Sequence, residues 1–284
     1  MSERVGVVGG GIMGAGIAEV AARAGCDVLV REVDEAAADR ARARIARSLE
    51  RAVTAERLTA GERDAALGRV RCVTGFDEFA DRDVVIEAVV EDESLKAGIF
   101  RTLDEVTSGT ECLLASNTSS IPIMRLAAVT ARPERVIGLH FFNPVPVLPL
   151  VEVIPHLATP PVTLERARAF AADRLGKQTV TAPDRSGFVV NALLVPFLLS
   201  AVRMVEAGLA SATDVDAAMV AGCAHPIGPL ALIDLIGLDT TAAVADSMYA
   251  EYREPLYAPP PLLRRMVEGG RLGRKSGQGF HSYE

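Results

Sequence analysis

The first 184 residues alternate short apolar runs with longer segments of helical character. The runs lie at residues 5–8, 27–30, 70–73, 84–88, 112–115, 136–139 and 150–154. Short apolar runs separated by helical segments predict an open sheet with helices between its strands. From Phe188 onwards the pattern changes to apolar helices, at 189–206, 212–221 and 230–248. We therefore predict an α/β domain over residues 1–184 and an all-α domain over residues 185–284.

Two helical regions carry further signals. Residues 36–67 contain no proline and are rich in alanine, arginine, glutamate and leucine. They predict a helical insertion at about 35–70, longer than a usual connection after a strand, with Gly61 separating two helices. In the second domain, Pro196 is predicted to kink the first helix and Thr213 to cap the second.

A glycine-rich turn joins the first strand to the first helix. Gly9, Gly11 and Gly14 follow the spacing G-x-G-x-x-G, with Ile12 and Met13 inside the motif. Glycines at these places permit a tight turn and let backbone N–H groups approach a pyrophosphate at the helix N-terminus. The pattern predicts a Rossmann-type dinucleotide-binding domain. The alternative is a glycine turn that serves only the packing of the helix on the strand.

An acid follows the second strand. Glu32 stands about 20 residues after the glycine turn, where a carboxylate accepts both ribose hydroxyls of an adenosine and repels a 2′-phosphate. NAD(H) is therefore favoured over NADP(H). The neighbouring Arg31 weakens this preference, because a guanidinium can accommodate a 2′-phosphate.

The chemistry is predicted at His140. The apolar run 136–139 stops at this ring, which places a titratable group at the carboxyl end of a strand, where open α/β sheets bind ligands. Glu152 interrupts the next apolar run, and a buried acid needs a partner. A carboxylate beside an imidazole stabilises its protonated form and fixes its orientation. The alternative is a histidine satisfied by a backbone carbonyl, with Glu152 exposed.

Polar groups follow two other predicted strands. Glu91 comes after the run at 84–88, and Lys96 lies near the start of the next helix. Residues 116–120, Ser-Asn-Thr-Ser-Ser, place hydroxyls and an amide where a carbonyl could bind. The alternative for this segment is a cluster of helix N-cap residues before Pro122.

One face of the predicted insertion carries four arginines: Arg40, Arg44, Arg47 and Arg51. Their spacing of three and four residues places them on one helical stripe. Guanidinium groups pair bidentately with phosphate, so the stripe could hold the phosphates of a large acidic substrate. A solvated helix face is the alternative, because the acids Asp39 and Glu50 stand nearby.

Composition argues against several classes of protein. The 284 residues include 30 basic and 37 acidic side chains, for a net charge of −7, which disfavours nucleic acid as the main partner. Four dispersed cysteines indicate neither a disulfide nor a metal site and fit a cytoplasmic protein. No segment has the ~18 apolar residues of a membrane span, and no signal peptide is recognisable. His225 and His281 are predicted to be structural, and His156 to be solvated.

The motifs together resemble those of the short-chain (S)-3-hydroxyacyl-CoA dehydrogenase family, and most of all its bacterial members. The resemblance covers nearly the whole chain. It rests on the segments Val5-Gly-Val-Val-Gly-Gly-Gly-Ile-Met-Gly14, Val85-Ile-Glu-Ala-Val-Val-Glu-Asp92, Ala115-Ser-Asn-Thr-Ser-Ser120, Gly138-Leu-His-Phe-Phe-Asn-Pro-Val-Pro146, Leu150-Val-Glu-Val-Ile154, Gly187-Phe-Val-Val-Asn191, His225-Pro-Ile-Gly-Pro229 and Gly273-Arg-Lys-Ser-Gly-Gln-Gly-Phe280.

The resemblance implies roles for many of these residues. His140 would be the catalytic acid/base with Glu152 as its partner, and Ser119 and Asn191 would hydrogen-bond the substrate. The implied cofactor contacts are Gly9, Gly11, Ile12, Met13, Gly14, Glu32, Glu91, Lys96, Asn117 and Asn143. The helical insertion would lie against the CoA end of an acyl-CoA substrate, and the C-terminal helices would form a homodimer.

Three positions depart from the family's pattern. Pro149 replaces a common basic residue, Ser186 replaces a usual proline, and Ala192 replaces an arginine after the motif asparagine. They leave the acyl carrier and chain length open.

The leading hypothesis is NAD-dependent interconversion of (S)-3-hydroxyacyl-CoA and 3-ketoacyl-CoA with a short acyl chain, as in acetoacetyl-CoA. One alternative is a related dehydrogenase that acts on a hydroxyacyl unit bound to acyl carrier protein, or on a small sugar acid. The other is a non-catalytic dinucleotide-binding structural or sensor protein.

Overall fold

The structure, a computed structural model, describes residues 2–283. The chain divides into two compact units, with the boundary between Asp184 and Arg185. The first unit is built on a sheet and the second on helices, so the predicted fold class is confirmed. None of the helices in residues 2–283 has the length and apolar character needed to cross a lipid bilayer.

One eight-stranded sheet forms the centre of the first unit. Its strands are β1 (Arg4–Val8), β2 (Asp27–Arg31), β3 (Val70–Val73), β4 (Val84–Glu87), β5 (Leu113–Ser116), β6 (Val136–Phe141), β7 (Leu150–Ile154) and β8 (Gln178–Thr181). Their spatial order is β3-β2-β1-β4-β5-β6-β7-β8. Strands β1 to β6 are parallel, β7 is antiparallel to β6, and β8 is parallel to β7.

Helices cover this sheet. They are α1 (Ile12–Arg23), α2 (Glu35–Thr54), α3 (Ala60–Gly68), α4 (Glu93–Val106), α5 (Ile123–Ala127) and α6 (Pro161–Ala169), the last continued by a π-helical turn, Phe170–Arg174. Valines on β1, β2 and β4 are fully buried against apolar residues of α1 such as Ile17 and Ala21. This burial of apolar area is the main force that holds the helices on the sheet.

The helical insertion consists of α2 and α3, but its break is not at Gly61. Gly61 lies in the first turn of α3, and the chain leaves helical conformation at 55–59 instead. Thr59 begins α3 with a capping box, in which its hydroxyl accepts from the Glu62 N–H and the Glu62 carboxylate accepts from the Thr59 N–H. The cap satisfies N–H groups that a helix start leaves without partners, which is why α3 begins there.

The second unit contains α7 (Val190–Glu206), α8 (Ala212–Cys223), α9 (Pro229–Ile236), α10 (Leu238–Tyr252) and α11 (Pro261–Glu268). Pro196 lies inside α7. The single helix predicted at 230–248 is wrong, because Gly237 adopts φ +106° and divides α9 from α10. Thr213 is not the cap of α8: the Ser211 hydroxyl accepts from the Asp214 N–H at 3.1 Å.

The histidines outside the predicted site all have structural partners. In the second unit, His281 Nε2 lies 2.7 Å from Asp216 Oδ2, and the His225 ring packs 5.5 Å from that of Phe197. The expectation that His156 is solvated is wrong. It is buried, with Nε2 at 3.0 Å from the carbonyl of Val136.

Candidate active site

The glycine turn after β1 has the geometry that a dinucleotide phosphate requires. Gly9 has φ +95°, a conformation that favours glycine. A Cβ on Gly14 would lie 1.7 Å from the Gly9 carbonyl oxygen, so only glycine fits where α1 approaches the turn. A Cβ on Gly11 would meet nothing within 4 Å, which leaves space beside the N-terminus of α1. Ile12 is exposed and Met13 is half-buried at this helix start.

Glu32 reaches back from the end of β2 to the glycine turn. One carboxylate oxygen accepts from the Gly10 N–H at 2.6 Å, and the other accepts from the Val33 N–H at 3.3 Å. Arg31 points elsewhere: its Nε donates to the Thr74 carbonyl at 3.1 Å, and its guanidinium stacks on the Phe76 ring at 4.4 Å. The structure therefore places the Glu32 carboxylate, and not the Arg31 guanidinium, beside the glycine turn.

His140 and Glu152 face each other across the antiparallel pair of β6 and β7. They are register partners, and His140 Nδ1 lies 2.7 Å from Glu152 Oε2. The His140 side chain is 7% exposed and that of Glu152 is 0% exposed. The alternative of an exposed Glu152 is therefore wrong. The Phe142 ring contacts the imidazole edge-to-face, with centroids 4.6 Å apart.

The serine-rich segment 116–120 does not cap a helix. Pro122 is the N-cap of α5 and makes no side-chain bond. The carboxylate of Asp184 instead accepts from the N–H groups of Ile123 at 2.6 Å and Met124 at 2.8 Å. The side chains of the segment are therefore not used as an α5 cap.

Glu91 and Asn117 hold the serine-rich segment in place. Glu91 Oε1 accepts from the Thr118 hydroxyl at 2.5 Å and from the backbone N–H groups of Ser119 and Ser120 at 3.1 and 3.2 Å. Asn117 Oδ1 accepts from the Phe141 N–H at 2.9 Å, next to His140 on β6. The segment is thereby tied to the loop after β4 and to the strand that carries the histidine.

Lys96 is buried between two acids. Its side chain is 1% exposed, and its ammonium lies 3.2 Å from Glu91 and 2.7 Å from Glu87. Burial opposes ionisation of Glu91, but the Lys96 charge and the hydroxyls of Thr118 and Ser120 outweigh it and lower the pKa of Glu91. Sequence analysis did not single out Glu87. Glu87 has the same sequence pattern as Glu152, an acid inside an apolar run, and this pattern could have identified it.

The arginine stripe is divided by its surroundings. Arg44 is half-buried and its guanidinium donates to the Gly10 carbonyl at 2.5 Å. Arg40, Arg47 and Arg51 are exposed on α2. Arg44 therefore buttresses the glycine turn, whereas the other three present positive charge to solvent.

The remaining predicted residues lie in loops or in the second unit. Asn143 is exposed in the loop between β6 and β7, and Asn191 is half-buried in the first turn of α7. Among residues 2–283, no three histidine, cysteine or acidic side chains converge as a metal site would require.

Both units match known protein families. Residues 4–185 match the NAD-binding domain of 3-hydroxyacyl-CoA dehydrogenase, and residues 187–283 match its C-terminal domain. A 3-hydroxybutyryl-CoA dehydrogenase of Mycobacterium tuberculosis is 60% identical over 99% of this chain and 98% of its own.

Solved structures agree. FadB2 of Mycobacterium tuberculosis has a TM-score of 0.98 at 59% identity, covering 100% of this chain and 99% of its own. The (S)-3-hydroxybutyryl-CoA dehydrogenase PaaH1 of Ralstonia eutropha has a TM-score of 0.93 at 43% identity, covering 100% of both chains. Because the family matches run through both units, this chain belongs to the 3-hydroxyacyl-CoA dehydrogenase family.

Proposed function

We propose that the protein is an NAD-dependent oxidoreductase that interconverts (S)-3-hydroxyacyl-CoA and 3-ketoacyl-CoA with a short acyl chain. The observation that carries the proposal is the buried pair of His140 and Glu152 at the end of β6. The relatives named as 3-hydroxybutyryl-CoA dehydrogenases favour the acetoacetyl-CoA and 3-hydroxybutyryl-CoA pair as substrates.

His140 acts as the general acid in reduction and as the general base in oxidation. Bound NADH supplies the hydride for the C3 carbonyl. The Glu152 carboxylate is hydrogen-bonded to Nδ1 of the imidazole, so Nε2 is the nitrogen that exchanges a proton with the substrate oxygen. The buried carboxylate stabilises the imidazolium and fixes the ring plane. General acid catalysis of this kind contributes about 10²–10⁴-fold to the rate.

Ser119 and Asn191 are proposed to hydrogen-bond the substrate. Support for Ser119 comes from the way its backbone is held: Glu91 accepts its N–H, and Asn117 joins the same segment to β6 beside His140. Asn191 is assigned by the match of the segment 187–191 to the family's pattern.

The glycine turn and Glu32 are proposed to hold NAD(H). Backbone N–H groups at the start of α1 suit a pyrophosphate, and the Glu32 carboxylate suits a ribose diol. The negative charge of Glu32 would repel a 2′-phosphate. The Arg31 guanidinium, which could attract one, is hydrogen-bonded to the Thr74 carbonyl and stacked on the Phe76 ring instead. NADH should therefore be preferred to NADPH.

The exposed arginines of α2 are proposed to hold the CoA phosphates. Arg40, Arg47 and Arg51 give a local positive face on a chain of net charge −7. This positive face attracts the anionic phosphates of CoA, and added salt weakens the attraction.

The second unit is proposed to form a homodimer. Leu193 and Leu209 are 74% and 73% exposed, and Leu235 is 52% exposed. Apolar side chains exposed on one small helical unit favour burial against another subunit.

One assay tests the proposed function. The rate of NADH oxidation is measured with acetoacetyl-CoA and, in parallel, with an acetoacetyl group on acyl carrier protein, and then with NADPH in place of NADH. We expect turnover with acetoacetyl-CoA and a higher kcat/KM for NADH than for NADPH. Turnover with the carrier-protein substrate alone would overturn the assignment to a CoA thioester. A preference for NADPH would overturn the role given to Glu32.

A further inference from the structure

Glu87 is a buried acid that the proposed chemistry does not use. It is the last residue of β4, it is 0% exposed, and it follows the buried residues Val84, Val85 and Ile86. Moving an ionised carboxylate out of water is costly unless partners replace the lost hydration. The partners of Glu87 therefore indicate why an acid stands here.

Both oxygens of Glu87 have partners from three different parts of the chain. Oε1 accepts from the Val89 N–H and from the Lys96 ammonium, each at 2.7 Å. Oε2 accepts from the Ser116 hydroxyl at 2.7 Å. Ser116 ends β5, the neighbouring strand, and its hydroxyl oxygen accepts in turn from the Thr118 N–H at 3.2 Å.

Lys96 extends this network to the serine-rich segment. Its ammonium lies between Glu87 and Glu91, and Glu91 accepts from the N–H groups of Ser119 and Ser120. Two routes thus run from Glu87 to the segment 118–120, one through Lys96 and Glu91 and the other through Ser116. The segment carries Ser119, which the proposed function places on the substrate.

Charge accounts for the shared position of Lys96. Two carboxylates flank one ammonium, so each acid limits how closely the other can hold it. Without the charge of Glu87, the Lys96 ammonium would be attracted only to the Glu91 carboxylate. Both groups would then shift from their present positions. Charge-assisted hydrogen bonds are short and strong, so such a shift would be transmitted to the N–H groups that Glu91 holds.

We propose that Glu87 is a positioning residue for Ser119, acting through Lys96, Glu91 and Ser116 to fix the backbone of residues 118–120. The proposal rests on the proposed function for the role of Ser119 but not for the geometry of the network. A buried ion pair that only stabilised the fold would have no specific effect on this segment.

The first test is a double-mutant cycle of Glu87→Gln and Ser119→Ala. Glutamine keeps the size and an acceptor for the Val89 N–H but removes the charge. We expect Glu87→Gln to lower kcat/KM for acetoacetyl-CoA about tenfold in the wild-type background and less than about twofold in the Ser119→Ala background, since residues that act as a unit are not additive. Effects that multiply in the double variant would overturn the proposal while leaving the proposed function intact.

The second test does not depend on activity. Hydrogen exchange measured by mass spectrometry should show faster exchange of the amides of residues 119 and 120 in Glu87→Gln, even if acetoacetyl-CoA is not the substrate. Unchanged exchange there would overturn the proposal. Ser116→Ala removes both the Oε2 partner of Glu87 and the acceptor of the Thr118 N–H. It should accelerate the same amides and serves as the second variant if Glu87→Gln does not fold.

Asp104→Asn is the matched control. Asp104 is a buried acid on α4 of the same unit, its carboxylate lies 2.7 Å from Arg132 Nε, and it also accepts from the Ala131 N–H. Asp104→Asn should lower the melting temperature without changing kcat/KM or the exchange of residues 119 and 120. Equal kinetic effects of Asp104→Asn and Glu87→Gln would mean that Glu87 has only a structural role.

Discussion

Two strands of the sheet each contain an acid that follows or lies among buried apolar residues. Glu152 on β7 and Glu87 on β4 are both 0% exposed, and each has a charged or titratable partner at 2.7 Å. Burial of an unpaired carboxylate is costly, so an acid in an apolar run predicts a partner elsewhere. The sequence predicted His140 as the partner of Glu152, whereas the partner of Glu87, Lys96 on α4, was not predicted because the contact exists only once the helix packs on the sheet.

Glu152→Gln tests the electrostatic part of the pair. The amide keeps a hydrogen bond to the ring but removes the negative charge that favours the imidazolium. We expect lower turnover and a pH profile of kcat displaced to lower pH, measured as NADH oxidation between pH 5 and pH 9. Asp216→Asn, which changes another histidine–acid pair in the second unit, should leave the profile in place. A profile unchanged by Glu152→Gln would contradict the coupling.

Some residue contacts could not be predicted because the partners lie far apart in sequence. Asp184 caps α5 about 60 residues away, and His156 is buried against the carbonyl of Val136. Neither residue has a local pattern that identifies such a partner, since the contact exists only after the sheet has formed. His156 was therefore wrongly predicted to be solvated.

Helix α2 allows a direct test of the proposed CoA face. Arg47 and Arg51 are suitable, whereas Arg44 is not, because its bond to the Gly10 carbonyl supports the glycine turn. Replacing Arg47 and Arg51 with alanine should raise KM for acetoacetyl-CoA several-fold while KM for NADH and kcat change little, the pattern for loss of uniform binding. The difference in KM for acetoacetyl-CoA between this variant and the wild type should shrink at high salt.

A charge-matched control separates this face from general electrostatics. Arg101 on α4 and Arg168 on α6 are also exposed, and their double alanine variant should leave KM for acetoacetyl-CoA unchanged. An unchanged KM in the Arg47 and Arg51 variant would show that the stripe is a solvated face.

Helix α1 contains a buried acid that should destabilise the fold at neutral pH. Glu19 is 0% exposed, and the Arg23 guanidinium lies 3.5 Å from its carboxylate. Within residues 2–283, neither carboxylate oxygen accepts a hydrogen bond of ordinary geometry. Burial raises the pKa of Glu19 above 4.5, and Ser48 and Arg23 only partly offset this. The folded state thus holds its proton to higher pH than the unfolded state.

The sign of the pH dependence follows from that difference. Stability falls as pH rises from about 4.5 through the raised folded pKa, because the folded state binds more protons in that window. Glu19→Gln should therefore raise the free energy of unfolding at pH 7 by roughly 1 kcal/mol and have little effect near pH 4. Urea unfolding at both pH values measures this, with the exposed Glu165→Gln as control. A loss of stability at pH 7 would refute it.

Element boundaries were predicted less well than element types. Residues 230–248 are mostly apolar and contain no proline, so the sequence pattern predicted one helix, and only the positive φ of Gly237 divides it into α9 and α10. Strand β8 has the sequence Gln-Thr-Val-Thr and is mostly exposed, so it lacks the apolar run that identified the other strands. Its pairing with β7, rather than its own composition, makes it a strand.

Along the full sequence, the change from short apolar runs to apolar helices was sufficient to predict an α/β unit followed by a helical one. Predicting the order and direction of the strands requires further information, such as the lengths of the connections between them. The connection 142–149 between β6 and β7 is shorter than the dozen or more residues of a parallel crossover, which requires the antiparallel pair that the structure shows. That reversal is what places Glu152 opposite His140.

His140 is proposed to transfer the proton in a reaction between NADH and a 3-ketoacyl-CoA. This role is tested by measuring kcat for NADH oxidation with saturating acetoacetyl-CoA in the wild type and in His140→Gln, with NADH affinity measured in parallel by fluorescence. Glutamine removes the proton donor and leaves the glycine turn and Glu32 unchanged. We predict a loss of about 10²-fold or more in kcat with NADH affinity preserved. Turnover of His140→Gln close to that of the wild type would contradict this role of His140.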